Sequence, residues 1–424
     1  MLRDDGGQVQ DATALTTRLI VEPVRPVSAT ELPGGDAERA AAHTAAAGIP
    51  DDLLAHFGAT VRQTHERANV VVLEVPADRQ AALAEALRAI GIPARPPLPI
   101  QPLLNDSLPL LQIPPLQQAG LSGAGVRIAI VDTGIDAAHP DLRARIAAFQ
   151  NFSDVGGADP ADDVGHGTHV AGIAAGAGAV YRGVAPGATL IIAKALSAAG
   201  GTEDAVLAAM SWASRQEIRV LNLSLGGPGG RGSPTAPLAR EVDALAATGI
   251  IVCVAAGNSG PAGGTIGSPG DARGALTVGA ADKTGGLAFY SSRGPVPGVR
   301  YRKPDVLAIG GGVTEGAACG YGTGIASARA AVRNADPCAV PPRYVRLSGT
   351  SMAAPQVAGI CALLLEATRD RRLTAVAQAK LVRTAIIASA RPLRGTADDQ
   401  AGAGLVDAAA ALARLTTKRR RAAA

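Results

Sequence analysis

From Val126 onward the chain alternates short apolar runs with stretches of helical spacing. Val126–Val131, Thr189–Lys194, Val220–Ser224, Ile250–Val254 and Leu276–Ala280 are such runs, each bounded by turn-forming or polar residues. A run that is apolar on both faces suits a strand covered on both sides. Regular alternation with helices therefore predicts an α/β domain built on a mainly parallel, doubly wound sheet. Between two of these runs, Thr202 reads as a helix N-cap, with Glu203 and Asp204 in the first turn. The run ending at Val131 puts Asp132 at the carboxyl end of its strand, where open α/β sheets place their sites.

The first hundred residues follow another pattern. Thr17–Glu22 reads as a strand, Asp36–Ala47 as a helix, Gly58–Thr64 and Asn69–Val75 as two more strands, and Asp78–Ile90 as a second helix. That order predicts a small α+β domain over residues 15–97. The proline-rich stretch Pro93–Pro102 reads as extended, exposed chain, with a linker at 98–107. The large domain spans 108–416, and the basic end, 417–424, reads as a disordered tail.

Composition changes this picture little. A chain of 424 residues with 47% hydrophobic content buries a substantial core, but only 2% are aromatic and 52 are glycine. Packing must therefore rest on small and β-branched side chains. Forty basic residues stand against 36 acidic ones. The tail Lys418-Arg419-Arg420-Arg421 holds four of the positives, so the remainder is neutral and offers no footprint for nucleic acid. Neither a signal-peptide core near Met1 nor an 18-residue apolar run for a membrane span stands out. As written, the chain reads as cytoplasmic, or as secreted if its start has been trimmed.

Three segments carry candidate chemistry. Val131–Asp136 holds Asp132, Gly165–Gly172 holds His166, and Ser348–Pro355 holds Ser351. A serine hydroxyl is a weak nucleophile until a base takes its proton, and histidine is the base whose pKa suits neutral pH. A buried aspartate would fix the tautomer of that imidazole and stabilise its charged form. Asn258, in Ala255–Gly260, offers an amide to a developing oxyanion, as does the backbone N–H of Ser351 at the start of a helix. Asp136 reads as a turn residue and not as a second acid.

In these segments and their order the chain resembles the subtilase family of subtilisin-like serine endopeptidases, strongly from about Leu108 to Leu415. The resemblance implies a triad of Asp132, His166 and Ser351, with Asn258 in the oxyanion hole. It makes His169 a structural histidine, and leaves His139 and Asp141 without a triad role. It also implies that Ser224, Leu225 and Gly226 pair with an extended substrate. Ala255, Ala256 and Gly257 would wall the pocket for P1, the residue before the scissile bond, and Gly267 would form its base. These residues are uncharged, so an apolar P1 such as Leu, Phe or Met is expected. The N-terminal domain resembles the family's propeptide only by pattern; an unrelated docking domain would show the same order. The propeptide reading makes it an intramolecular inhibitor, with self-cleavage between Leu98 and Ser107.

Two features depart from the family. The stretch Gly176–Gly183, where many subtilases carry a calcium loop, has no carboxylate or amide, so no metal or other cofactor is expected and Asp141 alone is insufficient. The stretch Gly310–Tyr344 is longer than the family minimum and reads as a surface insertion or as a flap that narrows the cleft, with a short helix expected over Ser327–Asn334. Of the cysteines, Cys253 and Cys361 read as small apolar residues, while Cys319 and Cys338 share an irregular segment and could pair, a point the sequence leaves open. The expected partners are peptide or protein substrates, without nucleic acid or membrane. Peptide hydrolysis is the leading reading; a peptide ligase or macrocyclase on the same scaffold is the alternative, and a non-catalytic binding module the third.

Overall fold

The computed structural model describes residues 16–21, 48–65, 70–96, 107–227, 234–312, 323–333 and 336–421. The chain divides into two compact units, Met1–Ile100 and Gln101–Ala424.

In the first unit the elements are β1 (Thr16–Val21), α1 (Asp51–Phe57), β2 (Thr60–His65), β3 (Val70–Pro76), α2 (Gln80–Ala89) and β4 (Ala94–Arg95). The strands form an antiparallel sheet in the order β2-β3-β1-β4. Leu19, Val21, Val71, Leu73 and Val75 alternate along β1 and β3 and pack with Leu54, Leu83 and Leu87 from the helices. Helix α1 escaped the apolar pattern because it is one short stretch. Its start is nonetheless marked, with Pro50 before it and Asp51 and Asp52 in its first turn. The helix expected over 36–47 lies outside the described residues, as does the cleavage window expected between Leu98 and Ser107 up to residue 106.

The second unit opens with α3 (Ser107–Leu110), α4 (Pro114–Gln118), β5 (Arg127–Asp132), β6 (Ile146–Asn151), α5 (His166–Ala175), β7 (Thr189–Lys194) and α6 (Glu203–Ser214). It continues through β8 (Val220–Leu223), α7 (Pro237–Ala247), β9 (Ile251–Ala255), β10 (Leu276–Ala281) and β11 (Val306–Ile309). Then come β12 (Ile325–Ala328), β13 (Ala339–Val340), β14 (Tyr344–Leu347), α8 (Thr350–Ala367), α9 (Ala375–Ser389), α10 (Asp398–Ala401) and α11 (Ala408–Arg421).

Seven strands form one parallel sheet in the order β11-β10-β9-β8-β5-β7-β6. The pleat explains the unbroken apolar runs. Ile128 and Ile130 face one core with Val170, Met352 and Val357, while Ala129 and Val131 face the other with Val206, Met210 and Val242. Both faces are thus covered by helices, which makes this the doubly wound α/β fold. Each large aliphatic side chain so buried contributes about 1.5–3 kcal/mol. Winding reverses direction at β5, so the carboxyl ends of β5 and β8 frame a switch-point crevice.

Strands β6 and β11 were not legible. The edge strand β6 alternates half-buried and exposed positions, so it lacks a continuous apolar signature. Central helix α8 is long and apolar enough to cross a membrane by length and composition, yet 83% of it is buried as the core element between strands and helices. Helix α11 extends to Arg421.

The insertion corrects one expectation. In place of a helix over 327–334, β12 and β14 pair antiparallel, followed by a single 3₁₀ turn at Ala331–Arg333. Ser327 Oγ donates to the carbonyl of His169, which ties this segment to α5 as a strand. Cys338 is disulfide-bonded, whereas Cys253 and Cys361 are buried free thiols 4.0 Å apart. Cys319 lies outside the described residues.

Candidate active site

Asp132 ends β5 fully buried, and its Oδ1 accepts both from Thr133 N at 2.8 Å and from His166 Nδ1 at 2.7 Å. Its Oδ2 has no partner among the described residues, which leaves the imidazole as the main side-chain partner of this carboxylate. His166 opens α5. Burial disfavours its charged form, but the Asp132 carboxylate more than offsets this, with help from Asp162, so its pKa lies above the ordinary histidine value.

The start of α5 is held by a residue that sequence reasoning passed over. Gly165 has no side chain to cap the helix. Asp162 does it instead, with Oδ1 accepting from Gly165 N at 2.7 Å and Val164 N at 3.2 Å, and Oδ2 accepting from Thr168 N at 2.8 Å and Thr168 Oγ1 at 2.6 Å. Thr133 Oγ1 donates to Asp162 Oδ1 at 2.8 Å and accepts from Gly167 N at 2.9 Å. The strand that ends in Asp132 and the helix that starts at His166 are therefore laced together through one buried carboxylate. Behind them, the buried Lys194 donates to the carbonyls of Thr133 and Leu196 and to Asp163.

Ser351 lies in the first turn of α8, where backbone amides have no intrahelical acceptor. Pro355, four residues on, has no N–H to give the carbonyl of Ser351. Ser224 Oγ takes that role at 2.9 Å and is itself held by Asn222 Nδ2 at 3.0 Å. The hydroxyl of Ser351 donates to the carbonyl of Ser224 at 3.2 Å and not to His166.

Asn258 is oriented through its oxygen. Thr350 N and Thr350 Oγ1 both donate to Asn258 Oδ1 at 2.9 Å, which turns the Nδ2 amide outward as a donor. Gly349 is required beside it: at φ 154°, a Cβ there would sit 3.3 Å from Asn258 Nδ2. Ser351 and Asn258 share a cleft of about 330 Å³ with Ser224, Leu225, Gly226, Ala255, Ala256, Gly257 and Gly267. All seven substrate-contact candidates thus come together with the nucleophile candidate. Gly227, Ser259, Thr265 and Thr350 complete the lining, and none of it is charged.

Residues 123–406 match the subtilase family. The chain belongs to that family. It is 39% identical over 275 residues to serine protease AprX of Bacillus subtilis, covering 59% of this chain and 59% of AprX. It is 36% identical over 263 residues to subtilisin DY of Bacillus licheniformis, covering 61% of this chain and 83% of that protein. A solved protease from Pseudoalteromonas arctica aligns with TM-score 0.60 and 27% identity, covering 76% of this chain and all of that one.

Other subtilase motif residues have structural partners. His169 is buried with Nε2 at 3.0 and 3.1 Å from the carbonyls of Ile325 and Val345, and burial pushes its pKa down to about 3, so it stays neutral. Asp136 accepts from Ala138 N and Ala331 N, as a turn residue that also anchors the insertion. His139 Nε2 meets the carbonyl of Arg343 at 2.9 Å. Asp141 Oδ2 accepts from Tyr344 Oη at 2.9 Å, so a hydroxyl from the insertion engages the carboxylate that matches a family calcium ligand. No group of three or more His, Cys, Asp or Glu side chains suited to a metal occurs among the described residues. Asp162 and Thr350 were the missed site residues. Both had a signal, an acid four positions before the helical His166 and a threonine next to Ser351, but neither signal says which groups it will meet.

Proposed function

We propose that this protein is a serine endopeptidase that acts through Ser351, His166 and Asp132. The observation that carries the reading is the 2.7 Å contact of His166 Nδ1 with the buried Asp132, together with a cleft that Ser351 and Asn258 line. Held this way, the imidazole keeps Nδ1 protonated and presents Nε2 as the proton acceptor. Once the Ser351 side chain rotates, Oγ attacks the substrate carbonyl and its proton passes to Nε2. The Asn258 amide and the Ser351 backbone N–H donate to the oxyanion that forms. His166 returns the proton to the leaving amine, and water then repeats the sequence on the acyl-enzyme. Product masses test the reaction class: hydrolysed ends support it, whereas products short by one water indicate ligation.

The substrate is an extended peptide whose backbone pairs with Ser224–Gly226. The uncharged lining of the cleft favours an apolar P1. A charged P1 would be desolvated there without a counter-charge. A peptide library is expected to give Leu, Phe or Met at P1 at least about tenfold higher kcat/KM than Arg or Lys; dominance of Arg or Lys would refute this.

The antiparallel α+β unit at the N-terminus supports the propeptide reading, in which it inhibits the same chain before self-cleavage. The Tyr344–Asp141 hydrogen bond supports calcium independence. A chelator is accordingly expected to leave the melting temperature unchanged; a drop of more than about 4 °C, on the order of 1 kcal/mol or more for a unit of this size, would show a structural metal.

A further inference from the structure

The insertion does more than lengthen the chain. From β12 to β14 it packs along the elements that carry the acid and the base. Ile325 O and Val345 O receive His169 Nε2, Ala331 N donates to Asp136 Oδ2, and Arg343 O meets His139. At its turn, Arg333 lies across the residue just before His166. Gly165 has φ 87°, and a Cβ there would fall 2.5 Å from Arg333 Cδ and 2.8 Å from Cγ. Only glycine leaves room for that aliphatic stem. Asp336 fixes the far end of the side chain: its Oδ2 accepts from Arg333 Nε at 2.7 Å and pairs with a terminal guanidinium nitrogen at 2.7 Å. Asp336 is held in turn by Cys338 N at 2.8 Å, and Cys338 is disulfide-bonded.

We propose that Arg333 is a positioning residue for the base. Its guanidinium, held by Asp336 while its stem lies against Gly165, opposes the positive charge that His166 acquires and extends the working pH range downward. The charged and titratable groups around the imidazole come from every packed element. Asp132 lies on β5, Lys194 beside it on β7, Asp136 in the turn after β5, Asp162 and Asp163 before α5, neutral His169 on α5, and Arg333 with Asp336 on the insertion. Lys194 is committed to Asp163 and to the carbonyls of Thr133 and Leu196, whereas Arg333 acts on the imidazole against the carboxylates. A lone guanidinium would attract substrate carboxylates and be fully solvated. Paired with the buried Asp336 and 29% exposed, it instead keeps a fixed place. This inference rests on His166 being the base.

The test is the pH dependence of kcat/KM on an uncharged peptide, with wild type, Arg333→Gln, Arg333→Lys and Asp336→Asn compared at low and high salt. Arg333→Gln is expected to move the acid limb to higher pH, and Arg333→Lys to keep it near wild type. Asp336→Asn is expected to move it to lower pH, and all displacements are expected to shrink in high salt. A titration of the His166 ring by NMR in the Ser351→Ala background reads the same order without activity. Coincident limbs for wild type and Arg333→Gln, or equal shifts for the Gln and Lys variants, would overturn the inference. His166→Ala separates the two readings: if it retains full hydrolysis, the assignment of the base is wrong, whereas loss of activity there with an unmoved Arg333→Gln limb defeats the inference alone.

Discussion

Replacing Ser351 by alanine is expected to abolish hydrolysis, lowering kcat by about a millionfold, the loss seen when a subtilisin loses its serine. The expectation follows from the site as built. No other hydroxyl in the cleft combines a place at a helix N-terminus with the Asn258 amide alongside: Ser224 Oγ is committed to the Ser351 carbonyl, and Thr350 Oγ1 to Asn258. Folding should survive, because the Ser351 side chain supports only the 3.2 Å bond to the Ser224 carbonyl. Active-site titration and steady-state kinetics check the claim. In the same preparations, intact mass reports on the N-terminal unit. Wild type is expected to lose about a hundred residues, while the variant keeps them. Variant and wild type cut alike would assign the cleavage to a foreign protease.

Asn258→Ala is expected to lower kcat by about 10²–10³, or about 2.7–4 kcal/mol, with little change in KM; that magnitude was measured on the corresponding asparagine of a subtilisin. The geometry gives the reason for the split. The Nδ2 donor is fixed before substrate arrives, because Thr350 holds Oδ1 twice. In the proposed mechanism it meets full negative charge only when the carbonyl becomes tetrahedral. A rise in KM with kcat intact would instead make Asn258 a binding residue. Removing the Thr350 hydroxyl should reproduce a small part of the Asn258 loss, since one of the two bonds that orient the amide would be gone.

The candidate site residues stand out in the sequence because their neighbours are unusual in combination. Glycines flank His166, and a Ser-Met-Ala-Ala-Pro run follows Thr350. The five central strands were legible because both faces of each are buried, which writes a continuous apolar run. The edge strand β6 and the insertion were not. Their residues are partly exposed or are held by side-chain bonds from distant segments, such as Ser327 to His169, which leave no periodic trace. The roles of Asp162, Thr350 and Arg333 share that limit. Each depends on a partner in another segment: Thr133 and α5 for the first, Asn258 for the second and Gly165 for the third. A local pattern identifies a residue type that can cap or donate, but not the partner it will meet.

The most direct test of the account is covalent labelling with a serine-reactive fluorophosphonate, followed by mapping of the modified peptide. Wild type is expected to carry one adduct, on Ser351, formed only while the protein is folded and lost in His166→Ala and Ser351→Ala. An adduct on another residue, or undiminished labelling without His166, would contradict it.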